Sequence, residues 1–104
     1  MTDLVNAYLQ RHANIVRGIP RPVKAMQCAD GFAMSVQASS MHYCLPYADN
    51  AFPYTHFEIG PPCKATPEFE AYSVSSDIPI YARVPLDVIL AVIAVHGGLV
   101  EPDA

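Results

Sequence analysis

The fold is decided near the C-terminus, by Val84-Pro85-Leu86-Asp87-Val88-Ile89-Leu90-Ala91-Val92-Ile93-Ala94-Val95-His96-Gly97-Gly98. The stretch predicts one short helix, because proline suits the first helical position and the glycine pair supplies the left-handed residue that ends many helices. At about 100° per residue, its apolar side chains form two stripes on nearly opposite sides. The first stripe is Leu86, Ile89, Leu90 and Ile93, and the second, the valine stripe, is Val88, Val92 and Val95. A helix that is apolar on both sides must be covered on both sides.

Length and composition predict a single domain over residues 1–104, in which 52% of the residues are hydrophobic and 15% are charged. The formal net charge is −4 with only six Lys and Arg residues, which argues against binding to a nucleic-acid backbone. Three cysteines and no secretory signal favour a reduced, cytosolic protein. The longest apolar run, residues 88–95, is too short to span a membrane. The small share of charged residues favours a partner or oligomer interface.

Residues 1–22 predict an amphipathic helix over residues 2–17, followed by a proline-rich linker. Thr2 is the expected N-cap, and Gly18 with the following prolines ends the helix. The apolar face is Leu4, Val5, Tyr8, Leu9, His12, Ile15 and Val16, and the opposite face is Asn6, Gln10, Ala13, Asn14 and Arg17. This one-sided helix is a candidate cover for the valine stripe.

Residues 23–38 predict a β-hairpin around the two-residue turn Asp30-Gly31. In that register Ala29 faces Phe32 and Gln27 faces Met34. The core face is then Val23, Ala25, Phe32, Met34, Val36 and Ala38, and the mixed face is Lys24, Met26, Cys28, Ala33, Ser35 and Gln37.

The remaining chain predicts two loops and two strands. Residues 54–60 alternate as a half-buried strand, and residues 78–85 predict a last strand that leads into the helix. Residues 39–53 predict an irregular loop and residues 63–77 a mostly solvated one. The expected fold is α+β: a small antiparallel sheet of three to four strands, with the C-terminal helix packed on it and the N-terminal helix beside it. Residues 23–104 form the α+β core.

Cysteine and histidine residues offer a weak candidate for metal or nucleophile chemistry. The candidate zinc ligands are Cys28, Cys44, Cys63, His42 and His56. Their spacing lacks a C-x-x-C pair, so buried cysteines are the favoured interpretation. A Cys44–His56 nucleophile pair is weaker still, because nothing supplies a site for an oxyanion. No carboxylate pair has acid–base spacing, so we predict no catalytic residue, no resident metal and no cofactor.

The aromatic loop is the candidate partner-binding surface, because tyrosine, phenylalanine and methionine anchor many protein interfaces. The candidate contact residues are Met41, His42, Tyr43, Tyr47, Asp49, Phe52, Tyr54, Glu58, Glu68 and Glu70. The valine stripe, Val88, Val92 and Val95, is a candidate homodimer interface. Coverage of the stripe by the N-terminal helix of the same chain is the equally weighted alternative.

Five stretches in order carry a resemblance across residues 26–98: DGFAMSVQA (30–38), YCLP (43–46), YTHFEIG (54–60), YARVP (81–85) and HGG (96–98). Together they resemble a family of small hypothetical proteins encoded by tailed bacteriophages and prophages. Members of this family have Pro-Arg where this chain has Pro46-Tyr47. Their sequences begin near the position of Met26, and their C-terminal helix carries more charged residues. This chain therefore has an additional N-terminal helix and fewer charges on its C-terminal helix than the family. Both differences would have one explanation if the N-terminal helix covers the valine stripe.

The resemblance implies a phage origin and transfers no catalytic residue, because the family has no assigned activity. Small phage proteins without catalytic signatures often bind a host protein, and inhibitors of bacterial immunity such as anti-CRISPR proteins are one such class. We therefore expect a non-enzymatic protein in the cytoplasm of the bacterial host. It would inhibit a host defence complex, such as a CRISPR effector, without contacting membrane or nucleic acid. The alternatives are a small zinc-binding or catalytic domain and a phage accessory or structural protein.

Overall fold

The computed structural model describes residues 3–62 and 64–101, and these confirm the α+β class. The elements in chain order are α1 (Leu4–Arg11), β1 (Asn14–Val16), β2 (Ile19–Arg21), β3 (Met26–Cys28), β4 (Ala33–Met34), β5 (Val36–Gln37), β6 (His56–Ile59), a 3-10 helix (Pro67–Tyr72), β7 (Tyr81–Pro85), α2 (Leu86–Val95) and β8 (Leu99–Val100). The strands form two three-stranded antiparallel sheets, ordered β4-β3-β8 and β5-β6-β7, and a two-stranded ribbon, β1-β2.

α2 ends at the glycine pair as predicted, but it begins one residue later than predicted, at Leu86. Pro85 is the N-cap, and the Leu86 N–H donates to the Thr55 carbonyl at 3.0 Å. At the other end Gly97 and Gly98 adopt φ values of +89° and +99°, and the Gly98 N–H donates to the Ile93 carbonyl at 2.9 Å. This is the αL closure in which glycine is favoured, because it has no Cβ to clash.

The two apolar stripes of α2 are buried unequally. Ile89, Val92 and Ile93 are buried, whereas Val88 is half-buried and Val95 is 70% exposed. α1, β7 and the 3-10 helix all pack against α2. The predicted subunit contact through Val92 is therefore wrong, because that side chain lies inside this chain's own core.

α1 is shorter than the sequence predicts. It begins at Leu4 and ends at Arg11, and its N-cap is Asp3, whose side chain accepts the Asn6 N–H at 2.8 Å. The predicted cap Thr2 lies outside the described residues. Asn6 was expected on the solvent face but is buried. The predicted helix beyond Arg11 is also wrong.

β1 and β2 replace the last turns of the predicted helix. Asn14 pairs with Arg21, and Val16 pairs with Ile19 across the turn Arg17-Gly18. Both turn residues have positive φ, +53° and +76°, which is the backbone of the tight turn that matches strand twist. β-Branched side chains and the prolines favour extended backbone here over helix.

The predicted hairpin forms in a register shifted by one residue. Gln27 pairs with Ala33 and Met26 pairs with Met34, around a three-residue loop closed by the Cys28 N–H donating to the Phe32 carbonyl at 2.8 Å. A one-residue shift moves every side chain of a strand to the other face. Met26 and Cys28 are consequently buried, and the predicted core face and mixed face of β3 are exchanged.

β5 leaves this hairpin and joins the second sheet. Val36 and Gln37 pair with Ile59 and Glu58 of β6. In the predicted register Val23 would lie opposite Ala38. Instead, the main chain of Val23 forms two hydrogen bonds of 2.8 Å with the side-chain amide of Gln37. The alternation predicted for residues 54–60 is confirmed within β6, where Phe57 and Ile59 are buried.

The second sheet is completed by a bulged strand. Tyr81 and Val84 are both buried although they are three positions apart, because the pairing with β6 shifts between Phe57 and Ile59 and Arg83 adopts a φ of +50°. Residues 63–77 were predicted to be mostly solvated, but the 3-10 helix within them buries Phe69, whose ring lies 5.6 Å from that of Tyr81.

Candidate functional site

Three large side chains of the loop over residues 39–53 are more than half exposed, and a fourth, Leu45, is 38% exposed. Met41 is 71% exposed, Tyr43 is 52% exposed and Tyr47 is 65% exposed. We call these three residues the exposed loop face. Each is of a type that contributes strongly when an interface buries it.

The main chain of the loop is tied to β6. Leu45 forms an isolated β-bridge with His56: the Leu45 N–H donates to the His56 carbonyl at 3.1 Å, and the Thr55 N–H donates to the Leu45 carbonyl at 2.9 Å. The Cys44 Sγ donates to the carbonyls of Ser39 and Pro46 at 3.2 and 3.4 Å. Burial raises the pKa of the Cys44 thiol, which favours the protonated form that donates these two hydrogen bonds.

Tyr54 fixes the far end of the loop from inside. It was predicted to contact a partner, but it is only 1% exposed, so this prediction is wrong. Its hydroxyl donates to the Ala48 carbonyl at 2.5 Å and accepts the Ala51 N–H at 3.1 Å. Burial raises the pKa of the Tyr54 hydroxyl. The Tyr54 side chain therefore stabilises the loop and does not contact a partner.

Tyr43 is oriented by a second group of contacts. Its N–H donates to the Glu58 carboxylate at 3.1 Å, and its carbonyl accepts the Arg83 N–H at 3.1 Å. The Arg83 guanidinium lies 5.9 Å from the centre of the Tyr43 ring, within the range of a cation–π contact. Glu58 therefore positions the loop main chain, and its role as a partner contact stays a prediction.

Of the other predicted contact residues, some stabilise the loop and the rest are exposed on the surface. His42 is half-buried with Nδ1 2.7 Å from the Ser39 hydroxyl, and the Asp49 carboxylate accepts the Ser40 N–H at 2.8 Å. Phe52 is half-buried, with its ring edge-on to Tyr54 at 5.0 Å. Glu68 and Glu70 are exposed on the 3-10 helix, which packs on β7 and α2.

A small cleft of about 60 Å³ adjoins the loop. It lies between the end of α1, the ribbon and β5, and its walls are mainly apolar. Leu9, Ile15, Val23 and Phe52 contribute apolar wall, and His42 and Asp49 connect the cleft to the loop. This volume is well below the roughly 300 Å³ from which typical ligand pockets begin.

The structure does not assemble the weak metal candidate. Cys28 and Cys44 are buried, and Cys63 lies outside the described residues. His56 is half-buried, with Nδ1 2.8 Å from the Thr55 hydroxyl. Across residues 3–62 and 64–101, no three His, Cys, Asp or Glu side chains are grouped so that they could hold a metal ion.

One exposed feature was missed at the level of sequence. The ribbon carries Ile15, Val16 and Ile19 at 59%, 43% and 52% exposure. The β-branched residues Ile15 and Val16 precede Arg17-Gly18 and Ile19 follows it, which is a signal for a tight hairpin turn. The helical spacing of the same residues outweighed that signal.

Within the described part of the chain, no helix has the length and hydrophobicity that crossing a membrane requires. Comparisons with protein-family models, with curated proteins and with solved structures found no match to this chain.

Proposed function

We propose that this chain is a non-enzymatic binding protein whose exposed loop face, Met41, Tyr43 and Tyr47, docks on a partner protein. The observation that carries the proposal is that these three side chains are exposed while the loop main chain beneath them is anchored. An anchored loop loses little conformational entropy on binding, so more of the contact energy contributes to affinity.

The proposed partner is a defence complex of a bacterial host, such as a CRISPR effector, and the proposed place of action is the host cytoplasm. This part rests on the resemblance to small phage proteins described above. Inhibition would be steric, because a bound protein blocks the surface it covers. The net charge of −4 would favour a partner with a basic surface and would raise the association rate.

The test compares phage plating on defence-positive and defence-negative hosts that express the full chain. We expect expression to restore plating only on the defence-positive host. The triple variant Met41→Ala, Tyr43→Ala, Tyr47→Ala should lose this rescue. Each truncated anchor of this kind costs about 1–2 kcal/mol of binding.

The matched control truncates exposed apolar residues elsewhere. Val74 and Ile78 are 50% and 53% exposed, so Val74→Ala, Ile78→Ala removes exposed apolar surface at residues outside the loop. Both variants should keep the wild-type thermal midpoint. Absence of rescue by the wild-type chain, or equal loss of rescue in both variants, would contradict the proposal.

A further inference from the structure

Residues 11–24, which include the ribbon, concentrate positive charge on an acidic protein. Arg11, Arg17, Arg21 and Lys24 are four of the six Lys and Arg residues, and no Asp or Glu occurs between Asp3 and Asp30. Arg11 is paired with Glu101. The other three are exposed, and within the described residues they form no ion pair. A surface of this sign attracts acidic groups.

The two edges of the ribbon differ in their hydrogen-bonding groups. Because Val16 and Ile19 flank a two-residue turn, they form the hydrogen-bonded pair, and the next pair, Ile15 and Pro20, directs its main-chain groups outward. Proline has no N–H, so the outer edge of β2 lacks a donor at Pro20 and again at Pro22. The outer edge of β1 presents both the N–H and the C=O of Ile15.

All three residues of β1 are exposed. An exposed strand edge with free main-chain groups is a template for another strand. The exposed side chains of Ile15 and Val16 lie on opposite faces of the ribbon, so an added strand would bury apolar surface on both faces.

We propose that the outer edge of β1 binds an extended acidic segment of a partner protein by strand addition. Main-chain hydrogen bonds to Ile15 would supply affinity, and the unpaired Arg17, Arg21 and Lys24 would select carboxylates. Two copies of this chain pairing through β1 would bring cationic ribbons together, which disfavours self-association at this edge. Nucleic acid is a poorer fit, because the exposed side chains are β-branched and not aromatic stacking platforms.

The test measures fluorescence anisotropy of labelled peptides against the full chain. One peptide of about eight residues alternates glutamate with valine, which is long enough to pair with β1. The other has lysine in place of glutamate. We expect the acidic peptide to bind at least about tenfold more tightly than the basic one, and its affinity to fall as salt is raised.

Two variants at one position separate main chain from side chain. Ile15→Pro removes the outward N–H, while Ile15→Ala removes only the side chain beyond Cβ. We expect Ile15→Pro to weaken acidic-peptide binding about tenfold more than Ile15→Ala. Thermal midpoints close to wild type show that both variants keep the fold. The double variant Arg17→Glu, Arg21→Glu tests charge selection separately, because it leaves the main chain of Ile15 unchanged.

Several results would overturn the proposal. These are absence of acidic-peptide binding at about 1 mM, equal binding of the basic peptide, and equal losses in Ile15→Pro and Ile15→Ala. Binding of single-stranded DNA or phosphatidylserine vesicles that exceeds peptide binding and survives Ile15→Pro would assign the ribbon to those ligands. A dimer in sedimentation that Ile15→Pro dissociates would assign the edge to a second copy. None of these outcomes bears on the exposed loop face, which is tested separately.

Discussion

Asn6 on α1 and Tyr54 at the end of the loop exchange two hydrogen bonds across 48 residues of chain. The Tyr54 N–H donates to Asn6 Oδ1 at 2.7 Å, and Asn6 Nδ2 donates to the Tyr54 carbonyl at 3.0 Å. The same Nδ2 donates to the Asp3 carboxylate at 2.7 Å. One buried amide thus joins the start of α1 to the loop that carries the exposed loop face.

Asn6→Ala should destabilise the protein by about 3 kcal/mol, because it leaves the buried N–H and carbonyl of Tyr54 without partners. Urea unfolding measures the change. Gln10→Ala is the control on the same helix, since Gln10 is exposed and should cost less than about 0.5 kcal/mol. Similar free energies of unfolding for the two variants would show that the amide does not hold the loop.

Val92→Ala should reduce the free energy of unfolding by about 2 kcal/mol, because it opens a cavity in the core. Val95 lies in the same helix at 70% exposure, and Val95→Ala should cost less than about 0.5 kcal/mol. Equal costs at the two positions would contradict the burial seen here. The comparison separates core packing from surface within the valine stripe.

The predicted homodimer stays a prediction, and Val95 is the position at which to test it. A charge at an apolar subunit contact is costly, so Val95→Glu should convert a dimer built on this end of α2 to a monomer in sedimentation equilibrium. The thermal midpoint of a monomeric protein should hardly change. A dimer that survives Val95→Glu would have to use another surface.

Asp30 and His96 connect the hairpin loop to the end of α2, with Asp30 Oδ2 2.7 Å from His96 Nδ1. The His96 ring stacks on Phe32 with centroids 4.0 Å apart. The Phe32 N–H, and then His96, lower the pKa of the Asp30 carboxyl. The stability that follows is present above the pKa of the unfolded state and is lost as pH falls through the folded-state pKa.

Asp30→Asn should therefore lower the thermal midpoint at neutral pH, and the gap from wild type should close as pH falls from about 5 to about 2. Asp77→Asn, at an exposed position, should follow the wild-type pH profile. Thermal melts over this range measure both variants. A gap for Asp30→Asn that is constant with pH would mean that carboxylate charge does not contribute.

Gly31→Ala should destabilise the protein by about 1 kcal/mol through backbone strain alone. Gly31 has a φ of +93°, and a Cβ built there meets nothing within 4 Å. Gly31→Asn should recover part of the loss, because asparagine tolerates the left-handed region better than alanine. Urea unfolding that shows no difference between Gly31→Ala and wild type would contradict this account of the turn.

Much of the local structure followed from the sequence. α2, with Pro85 before it and two glycines after it, and the alternation of β6 were both predicted, because caps and periodicity act within a few residues. The exposure of Met41, Tyr43 and Tyr47 agrees with the predicted loop surface. Their selection as partner contacts remains a proposal.

The sequence left other features undecided. Helical spacing extended α1 over residues that pair as β1 and β2, and a two-residue turn was assigned where a three-residue loop shifts the hairpin register. Tyr54 and Val92 were predicted to contact a partner or a second subunit, although both are buried. Local propensity favours a helix, strand or turn, but the face that becomes buried depends on which distant surfaces meet it. Asn6 illustrates the difference. Its position on the helix predicted a solvent-exposed side chain, but in the folded chain Tyr54 packs against it and its amide forms two hydrogen bonds with the Tyr54 main chain.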